Sequence, residues 1–265
     1  MRKRQNFQPL NQEVQQIETL PVPVVAYGRE LEEGDILPWH QHRRAQLVYA
    51  SSGVMTVTTP GTAHAVPPHR AVWVPGSVAH QIEARSRVSM RTLYVDVAPD
   101  SDLSAEVCVL EVSALLRELI VAAVAGGTDY GPDTPQARIT TVILDQIAAQ
   151  PRAKLAALPM PGEARLQRIV DTLLEAPGDN RDLADWAESI GASKRTITRL
   201  FMQETGLTFR AWRQQLRAHR ALELLESGQS VTSTALDLGY ENTSAFIAMF
   251  KRCVGTTPMQ YVRDA

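Results

Sequence analysis

The stretch LADWAESIGASKRTITRLFMQETG, residues 183–206, is followed by a second stretch of the same design, LGYENTSAFIAMFKRCVGTTPMQYVR, residues 238–263. The first stretch, and the second together with the residues just before it, each follow one order: a short helix, a turn that contains a glycine (Gly191 or Gly239) and an amphipathic helix. A glycine supplies the left-handed residue that a sharp turn after a helix needs. Two helices joined by such a turn form a helix-turn-helix unit. The sequence therefore predicts two of these units in an all-helical C-terminal domain.

The two stretches are copies of one pattern, and this internal repeat is the most informative feature of the chain. The second copy has one extra residue before its second helix. The matched positions agree in side-chain size and polarity: Ala187, Ile190, Gly191, Ile197, Leu200, Phe201 and Gly206 recur as Ala235, Leu238, Gly239, Phe246, Met249, Phe250 and Gly255.

The second helix of the first copy separates an apolar inner face from a basic outer face. Its N-cap is Ser193. Arginine on such a helix bonds guanine edges in the major groove of DNA, and threonine contacts the thymine methyl. A solvated basic surface is the alternative for one helix alone. The repeat favours DNA, and so does the local charge: residues 193–220 hold seven basic residues and one acidic, in a chain with 27 basic and 29 acidic residues. The predicted contact residues are Ser193, Lys194, Arg195, Thr198 and Arg199.

The second helix of the second copy has a less polar outer face, which predicts weaker base reading. Its outward positions are Thr243, Ser244, Ile247 and Ala248, and we expect phosphate contacts from Asn242, Ser244 and Lys251. A connecting helix over about 209–227 would span about 28 Å. One turn of B-DNA is about 34 Å, so this helix can hold both reading helices at successive major-groove segments.

Residues 163–265 resemble the DNA-binding domain of the AraC/XylS family of bacterial transcription regulators. The resemblance rests on the two quoted stretches and on Gly239-Tyr240, Phe246, Phe250, Lys251, Gly255, Thr257-Pro258 and Tyr261-Val262-Arg263. One departure concerns Ala248, which stands where the family often has a base-contacting arginine. The resemblance implies binding to double-stranded promoter DNA as a homodimer, and contact with RNA polymerase if the protein is an activator.

The N-terminal half has a different sequence pattern. Residues 20–100 contain short runs rich in strand-forming residues, separated by turns that contain glycine and proline. Such a pattern predicts a sandwich or barrel. The spacing of His40, His42 and Gln46 between two glycines resembles the first cupin motif, with Gln46 in place of the usual carboxylate, and His80 follows in a looser second motif. The predicted fold class is α+β multidomain, with an N-terminal cupin β-barrel followed by two helices, and a C-terminal all-α domain with two helix-turn-helix units.

The barrel has two possible ligands. A small-molecule effector pocket would be lined by Trp39, His40, His42, Gln46, Tyr49, Trp73 and His80. A divalent metal would instead be held by His40, His42, Gln46 and His80, more weakly than in a site with a carboxylate. His40 and His42 lie two apart on a predicted strand and so face the same side. No cofactor is expected beyond this metal, and His64 and His69 are predicted at the surface.

The predicted organisation is an N-terminal arm (1–19), the cupin-like barrel (20–100), a helical dimerisation or packing segment (101–150), a linker (151–162) and the DNA-binding domain (163–265). Helices near 111–125 and 135–149 have broad apolar faces that either cover the barrel or form a dimer interface. The longest apolar run is too short to cross a membrane, for which about 20 residues are needed. We therefore expect a cytoplasmic protein with no membrane partner.

Two functions follow from these patterns. The first is a sequence-specific regulator whose barrel senses a small molecule and controls promoter activity. The second is a metal-binding cupin, either a metal sensor or a metal-dependent enzyme, fused to a DNA-binding module. Gln46 in place of a carboxylate, with no separate acid–base pair in view, argues against catalysis, so we expect no enzyme activity.

Overall fold

The computed structural model describes residues 12–98, 102–151 and 158–264. The chain divides into two compact units. Among the described residues, the first comprises 12–60 and 64–151, and the second comprises 61–63 and 158–264. Most of the predicted arm (1–11), the predicted boundary at 99–101 and most of the predicted linker (152–157) lie outside the described residues.

The first unit consists of β-strands with helices at both ends of the sequence. Its described elements are α1 (Gln12–Thr19), β1 (Val24–Leu31), β2 (Ile36–His40), β3 (Ala45–Ser52), β4 (Met55–Thr59), β5 (Thr62–Val66), β6 (Arg70–Val74), β7 (His80–Ala84), β8 (Val88–Val95), β9 (Cys108–Glu111), α2 (Ala114–Ala125) and α3 (Pro135–Ala149).

The strands form two antiparallel sheets with the orders β1-β8-β3-β6-β9 and β5-β4-β7-β2. Strand β4 shows why the sheets have one apolar face: Met55 and Val57 are buried, whereas Thr56 between them is half-buried. Side chains alternate between faces along a strand, so this pattern places one row in the interior. That interior joins residues of both sheets: Leu31, Val48, Ala50, Met55, Val57, Val66, Val72, Val74, Ile82, Ala84, Val88 and Met90. The predicted cupin-like fold of antiparallel strands followed by helices is confirmed.

Helices α2 and α3 cover the outer face of the first sheet. Ser113 caps α2 by accepting from the backbone N–H of Leu116, and Thr134 caps α3, which begins with a proline. The buried faces of both helices pack into one cluster with Leu47 and Leu93 of the sheet. The sequence leaves two options open for these helices, and the structure shows the first: both helices cover the barrel.

The second unit is helical apart from a two-residue strand. Its described elements are β10 (Leu158–Pro159), α4 (Ala164–Glu175), α5 (Leu183–Ser189), α6 (Lys194–Thr205), α7 (Phe209–Glu226), α8 (Val231–Asp237), α9 (Thr243–Val254) and α10 (Pro258–Asp264). The predicted all-helical domain with two helix-turn-helix units is confirmed.

The internal repeat of the sequence is a repeat of structure. Helices α5 and α6 meet at Gly191 (φ 63°), and α8 and α9 meet at Gly239 (φ 73°). Only glycine adopts this left-handed backbone at low cost. A Cβ at Gly239 would also collide with the main-chain oxygen of Gly178. Each copy has its own aromatic core, around Phe201 in the first and Phe250 in the second.

Candidate functional site

Helix α6 presents the face that the sequence predicts for DNA. The Ser193 hydroxyl accepts from the backbone N–H of Thr196 at 3.1 Å, which fixes the start of the helix. Ile197 and Phe201 are fully buried. Four of the five predicted contact residues lie on the helix itself, and all four are exposed: Lys194, Arg195, Thr198 and Arg199.

Two side chains of this outer face are oriented by local hydrogen bonds. Thr198 Oγ1 donates to the main-chain oxygen of Lys194 at 2.9 Å, so its methyl group and both lone pairs of its oxygen are left for other contacts. The Arg199 guanidinium donates to Gln203 Oε1 at 3.0 Å, one turn further along the same exposed face. An arginine held in this way keeps further N–H groups for a base edge.

Helix α9 has the same scaffold with a different outer face. Asn242 Oδ1 accepts from the backbone N–H of Ala245 at 2.9 Å, so the amide expected to contact phosphate also caps the helix. Ser244, Ala248 and Lys251 are exposed, whereas Thr243 is half-buried. Ile247, which the sequence analysis placed on the outer face, packs against the core of the second copy instead.

Part of the basic stretch stabilises the fold. Arg213 is half-buried and donates to the main-chain oxygens of Asp179 and Arg181. Arg217 donates to the main-chain oxygen of Pro177 at 2.9 Å. Both guanidiniums therefore attach helix α7 to the loop that precedes helix α5. Counting these two arginines as part of a DNA-facing charge cluster was wrong.

The first unit brings three histidines together, here named the histidine cluster: His40, His42 and His80. One ring nitrogen from each lies within 4.8 Å of the others. His40 and His80 face each other as partners in the β2–β7 pairing, with ring centroids 4.3 Å apart. His42 lies after the end of β2 rather than on the strand as predicted, yet its ring still reaches the other two.

Main-chain carbonyls orient all three rings through Nδ1. Each carbonyl belongs to a residue two positions away in sequence. The contacts are His40 Nδ1 to Pro38 O at 2.7 Å, His42 Nδ1 to Arg44 O at 2.6 Å and His80 Nδ1 to Val78 O at 2.9 Å.

Gln46 lies beside two of the three rings, those of His42 and His80, and is 1% exposed. Its Oε1 is 3.0 Å from His42 Nε2 and 2.9 Å from His80 Nε2. Its Nε2 donates to the hydroxyl of Thr92 at 2.8 Å. The sequence analysis missed Thr92. The signal that could have identified it is a threonine next to the apolar run Leu93–Val95 of strand β8.

Burial keeps part of the cluster uncharged. Loss of hydration, and then the charges of His40 and His42, lower the pKa of His80 to about 3. Loss of hydration also lowers the pKa of His40, against a smaller opposing effect of its hydrogen bond to Pro38. Both rings are therefore neutral at pH 7, the state in which imidazole binds metals.

Two aromatic residues predicted to line the pocket lie elsewhere. Tyr49 and Trp73 belong to the cluster under α2 and α3, on the outer face of the sheet. Trp73 pairs with Leu47, whereas Gln46 pairs with Val74, so neighbouring positions point to opposite faces. Placing Tyr49 and Trp73 in the same pocket as the histidine cluster was therefore wrong. Trp39, on β2, is half-buried.

The surface prediction for His64 and His69 is also wrong in part. His64 lies on β5 and is 4% exposed, and burial lowers its pKa to about 4. His69 is half-buried in the turn before β6. The proline-rich turns on either side of these residues suggested solvent, but β5 itself is part of the second sheet.

Family models match both units. An AraC-like ligand-binding domain matches residues 23–125, and a helix-turn-helix domain matches residues 186–264. The transcriptional regulator NimR of Escherichia coli K12 is 35% identical over 225 residues, which are 85% of this chain and 82% of NimR. The transcriptional activator RhaR of Yersinia pestis (strain Angola) is 30% identical over 135 residues, 49% of this chain and 46% of RhaR.

A solved structure of ToxT from Vibrio cholerae O395 aligns with 91% of this chain and 97% of its own length, at 10% identity and a TM-score of 0.39. Among the described residues, none of the helices combines the length and the apolar character that crossing a membrane requires.

Proposed function

The chain belongs to the AraC/XylS family of transcription regulators, and on that premise we propose that it binds promoter DNA as a homodimer under the control of an effector in its barrel. The observation that carries this proposal is the exposed basic face of α6 above a fully buried inner face. The N-terminal part of such a helix enters the major groove. Lys194 and Arg195 lie in that part.

Support for the homodimer comes from α2 and α3. Leu115 is 55% exposed and Val142 is 41% exposed, although the opposite faces of both helices are buried on the sheet. Apolar side chains left in water on two adjacent helices favour a self-complementary contact, and a two-fold dimer suits DNA with two half-sites. Contact with RNA polymerase belongs to the proposal only if the protein activates transcription.

We further propose that the chain is not an enzyme and that it works in the cytoplasm, where promoter DNA is found. The relatives described above are named as transcription regulators. Gln46 stands where the cupin motif usually has a carboxylate, and an amide neither gains nor loses a proton near neutral pH, as general acid–base catalysis requires.

The test is selection of genomic DNA by the purified full-length protein. Sheared DNA of the source organism is incubated with the protein, and the bound fragments are sequenced. We expect a small set of enriched fragments upstream of coding regions. A protein with Arg195→Ala and Arg199→Ala should lose this enrichment.

Arg168→Ala is the matched control, because Arg168 is an exposed arginine on α4, outside both helix-turn-helix units. It should recover the same fragments as the unchanged protein. Recovery of fragments in proportion to their abundance, with the same pattern for all three proteins, would overturn the proposed function.

A further inference from the structure

The three rings of the histidine cluster share one tautomer. A carbonyl oxygen only accepts hydrogen bonds, so the Nδ1 atom that faces it carries the hydrogen in each ring. A neutral ring of this kind keeps its lone pair at Nε2. Metal-ligating histidines in proteins are oriented in the same way, with one nitrogen bonded to a carbonyl and the other free to bind.

Gln46 brings a further acceptor toward the same point. The Thr92 hydroxyl donates to the main-chain oxygen of Leu47 at 2.9 Å and therefore accepts from Gln46 Nε2. This chain of hydrogen bonds turns Gln46 Oε1 toward Nε2 of His42 and of His80. When the rings are neutral, two nitrogen lone pairs and one carbonyl oxygen face one another with no hydrogen between them.

Acceptors at these distances need either a donor or a cation among them. A proton placed on His80 would put a charge on a ring that is fully buried. A half-turn of the Gln46 amide would let its NH2 group donate to both rings, but the Thr92 hydroxyl would then have to leave Leu47 and donate to Gln46. A metal ion satisfies every acceptor and leaves the bond between Thr92 and Leu47 in place. The site therefore has two self-consistent arrangements, which differ in the orientation of one amide.

We propose that these arrangements are the metal-free and metal-bound states of the sensor, and that the effector is a divalent transition-metal ion bound by His40, His42, His80 and Gln46. The regulatory part of this inference rests on the proposed function. The metal site itself does not, because it follows from the side chains of the first unit alone.

The donor set selects the class of ion. Imidazole nitrogens suit Zn²⁺, Cu²⁺, Ni²⁺ and Fe²⁺, whereas Mg²⁺ and Ca²⁺ prefer oxygen ligands. Bonds of about 2.1 Å in a tetrahedral site place neighbouring ligand atoms about 3.4 Å apart. The ring nitrogens of the cluster lie within 4.8 Å of one another, so binding would require only a modest inward movement of the rings.

Gln46 makes this site reversible. The three imidazoles and the amide are all neutral, so a bound ion keeps its full double charge in a buried place. A carboxylate at position 46 would neutralise half of that charge and could not donate to the rings in the metal-free state. We therefore expect Gln46→Glu to convert an exchangeable site into a tight one.

Metal binding is tested on the full-length protein after chelation and dialysis. Co²⁺ is titrated and followed by visible absorption, and Zn²⁺ is titrated against a chromophoric chelator. We expect one ion per chain, binding at least tenfold weaker in His40→Gln and in His42→Gln, and binding at least tenfold tighter in Gln46→Glu. His80 is left unchanged because it is fully buried.

His69→Gln is the matched control, since His69 is half-buried in the same unit but lies outside the cluster. It should bind metal like the unchanged protein, and circular dichroism checks that every variant is folded. Absence of binding at millimolar metal would overturn the site. Equal affinity in the unchanged protein and in both cluster variants would also overturn it.

The regulatory part is tested by measuring the Kd for the genomic DNA recovered above, with and without Zn²⁺. Metal should change this Kd about fivefold or more in the unchanged protein and leave it constant in His42→Gln. Metal binding with an unchanged Kd for DNA would overturn the effector assignment. Failure to bind DNA with or without Zn²⁺ would contradict the proposed function instead. The metal titration would then still test the metal site by itself.

Discussion

Helices α6 and α9 are built alike, yet they carry different surfaces. Each has 12 residues, a capped N-terminus and a left-handed glycine at its end, Gly206 or Gly255. The basic residues of α6 lie in its first half, whereas those of α9, Lys251 and Arg252, lie in the last turn. The first half of a reading helix contacts base edges. The two copies therefore share one scaffold, and from the different positions of their basic residues we expect α6 to read bases and α9 to contact the DNA backbone.

The largest effect is expected from removing the basic face of α6. A double variant, Arg195→Ala and Arg199→Ala, should weaken binding to selected DNA about 100-fold or more, because each bidentate base contact contributes about 1–3 kcal/mol. Fluorescence anisotropy with a labelled duplex measures this loss. Both residues are exposed, so the unfolding midpoint should stay unchanged. A loss of less than threefold would refute the assignment of base reading to α6.

Single substitutions in the two helices separate base contact from phosphate contact. Arg199→Ala should weaken binding to the selected duplex about tenfold or more while leaving the affinity for random DNA nearly unchanged. Lys251→Ala should weaken binding to both duplexes alike and reduce the slope of log K against log salt by about one. Salt titrations on the two duplexes measure both quantities. Identical behaviour of the two variants would remove the proposed difference between the helices.

The exposed Ala248 offers a way to make α9 resemble α6. Ala248→Arg should add a guanidinium to the outer face of α9 and tighten binding about tenfold on duplexes that present guanine opposite it. Ala248→Gln is the uncharged control and should prefer adenine at the same position. A uniform gain on every sequence would show that the new arginine contacts phosphate only.

The smallest effects are expected from the two helix caps. Ser193→Ala and Asn242→Ala each remove an acceptor for a backbone N–H and should each lower the free energy of unfolding by about 1 kcal/mol. Urea unfolding of the full chain measures this. Similar losses would show that the two copies depend equally on their caps, and a loss confined to one copy would show that their folds differ in stability as well as in surface.

The parts of the fold that depend on local pattern could be predicted from the sequence. The glycine at each turn and the spacing of apolar residues along each helix were enough to predict both helix-turn-helix units, because a short turn leaves few arrangements for two helices. The strands β2 and β5 were harder to predict. Their sequences, ILPWH and TAHAV, do not alternate clearly, and what places them in a sheet is pairing with distant strands.

The same distinction, between local sequence pattern and pairing of distant segments, explains which features of the site residues could be predicted from the sequence. Strand alternation excludes Tyr49 from the pocket once Gln46 faces inward, since the two positions differ by three and so point to opposite faces. The structural role of Arg213 could not be predicted in this way, because its acceptors lie in a loop more than 30 positions earlier in the sequence. The association of Thr92 with Gln46 likewise depends on the pairing of β3 with β8.

The central claim, that α6 reads bases while α9 positions the backbone, is tested most directly by selecting sites from a randomised duplex library. The selection is run in parallel with the unchanged protein, Arg199→Ala and Lys251→Ala. The account predicts one motif for the unchanged protein and for Lys251→Ala, and the loss of preference at one position of that motif for Arg199→Ala. An unaltered motif for Arg199→Ala, or a motif altered by Lys251→Ala, would contradict it.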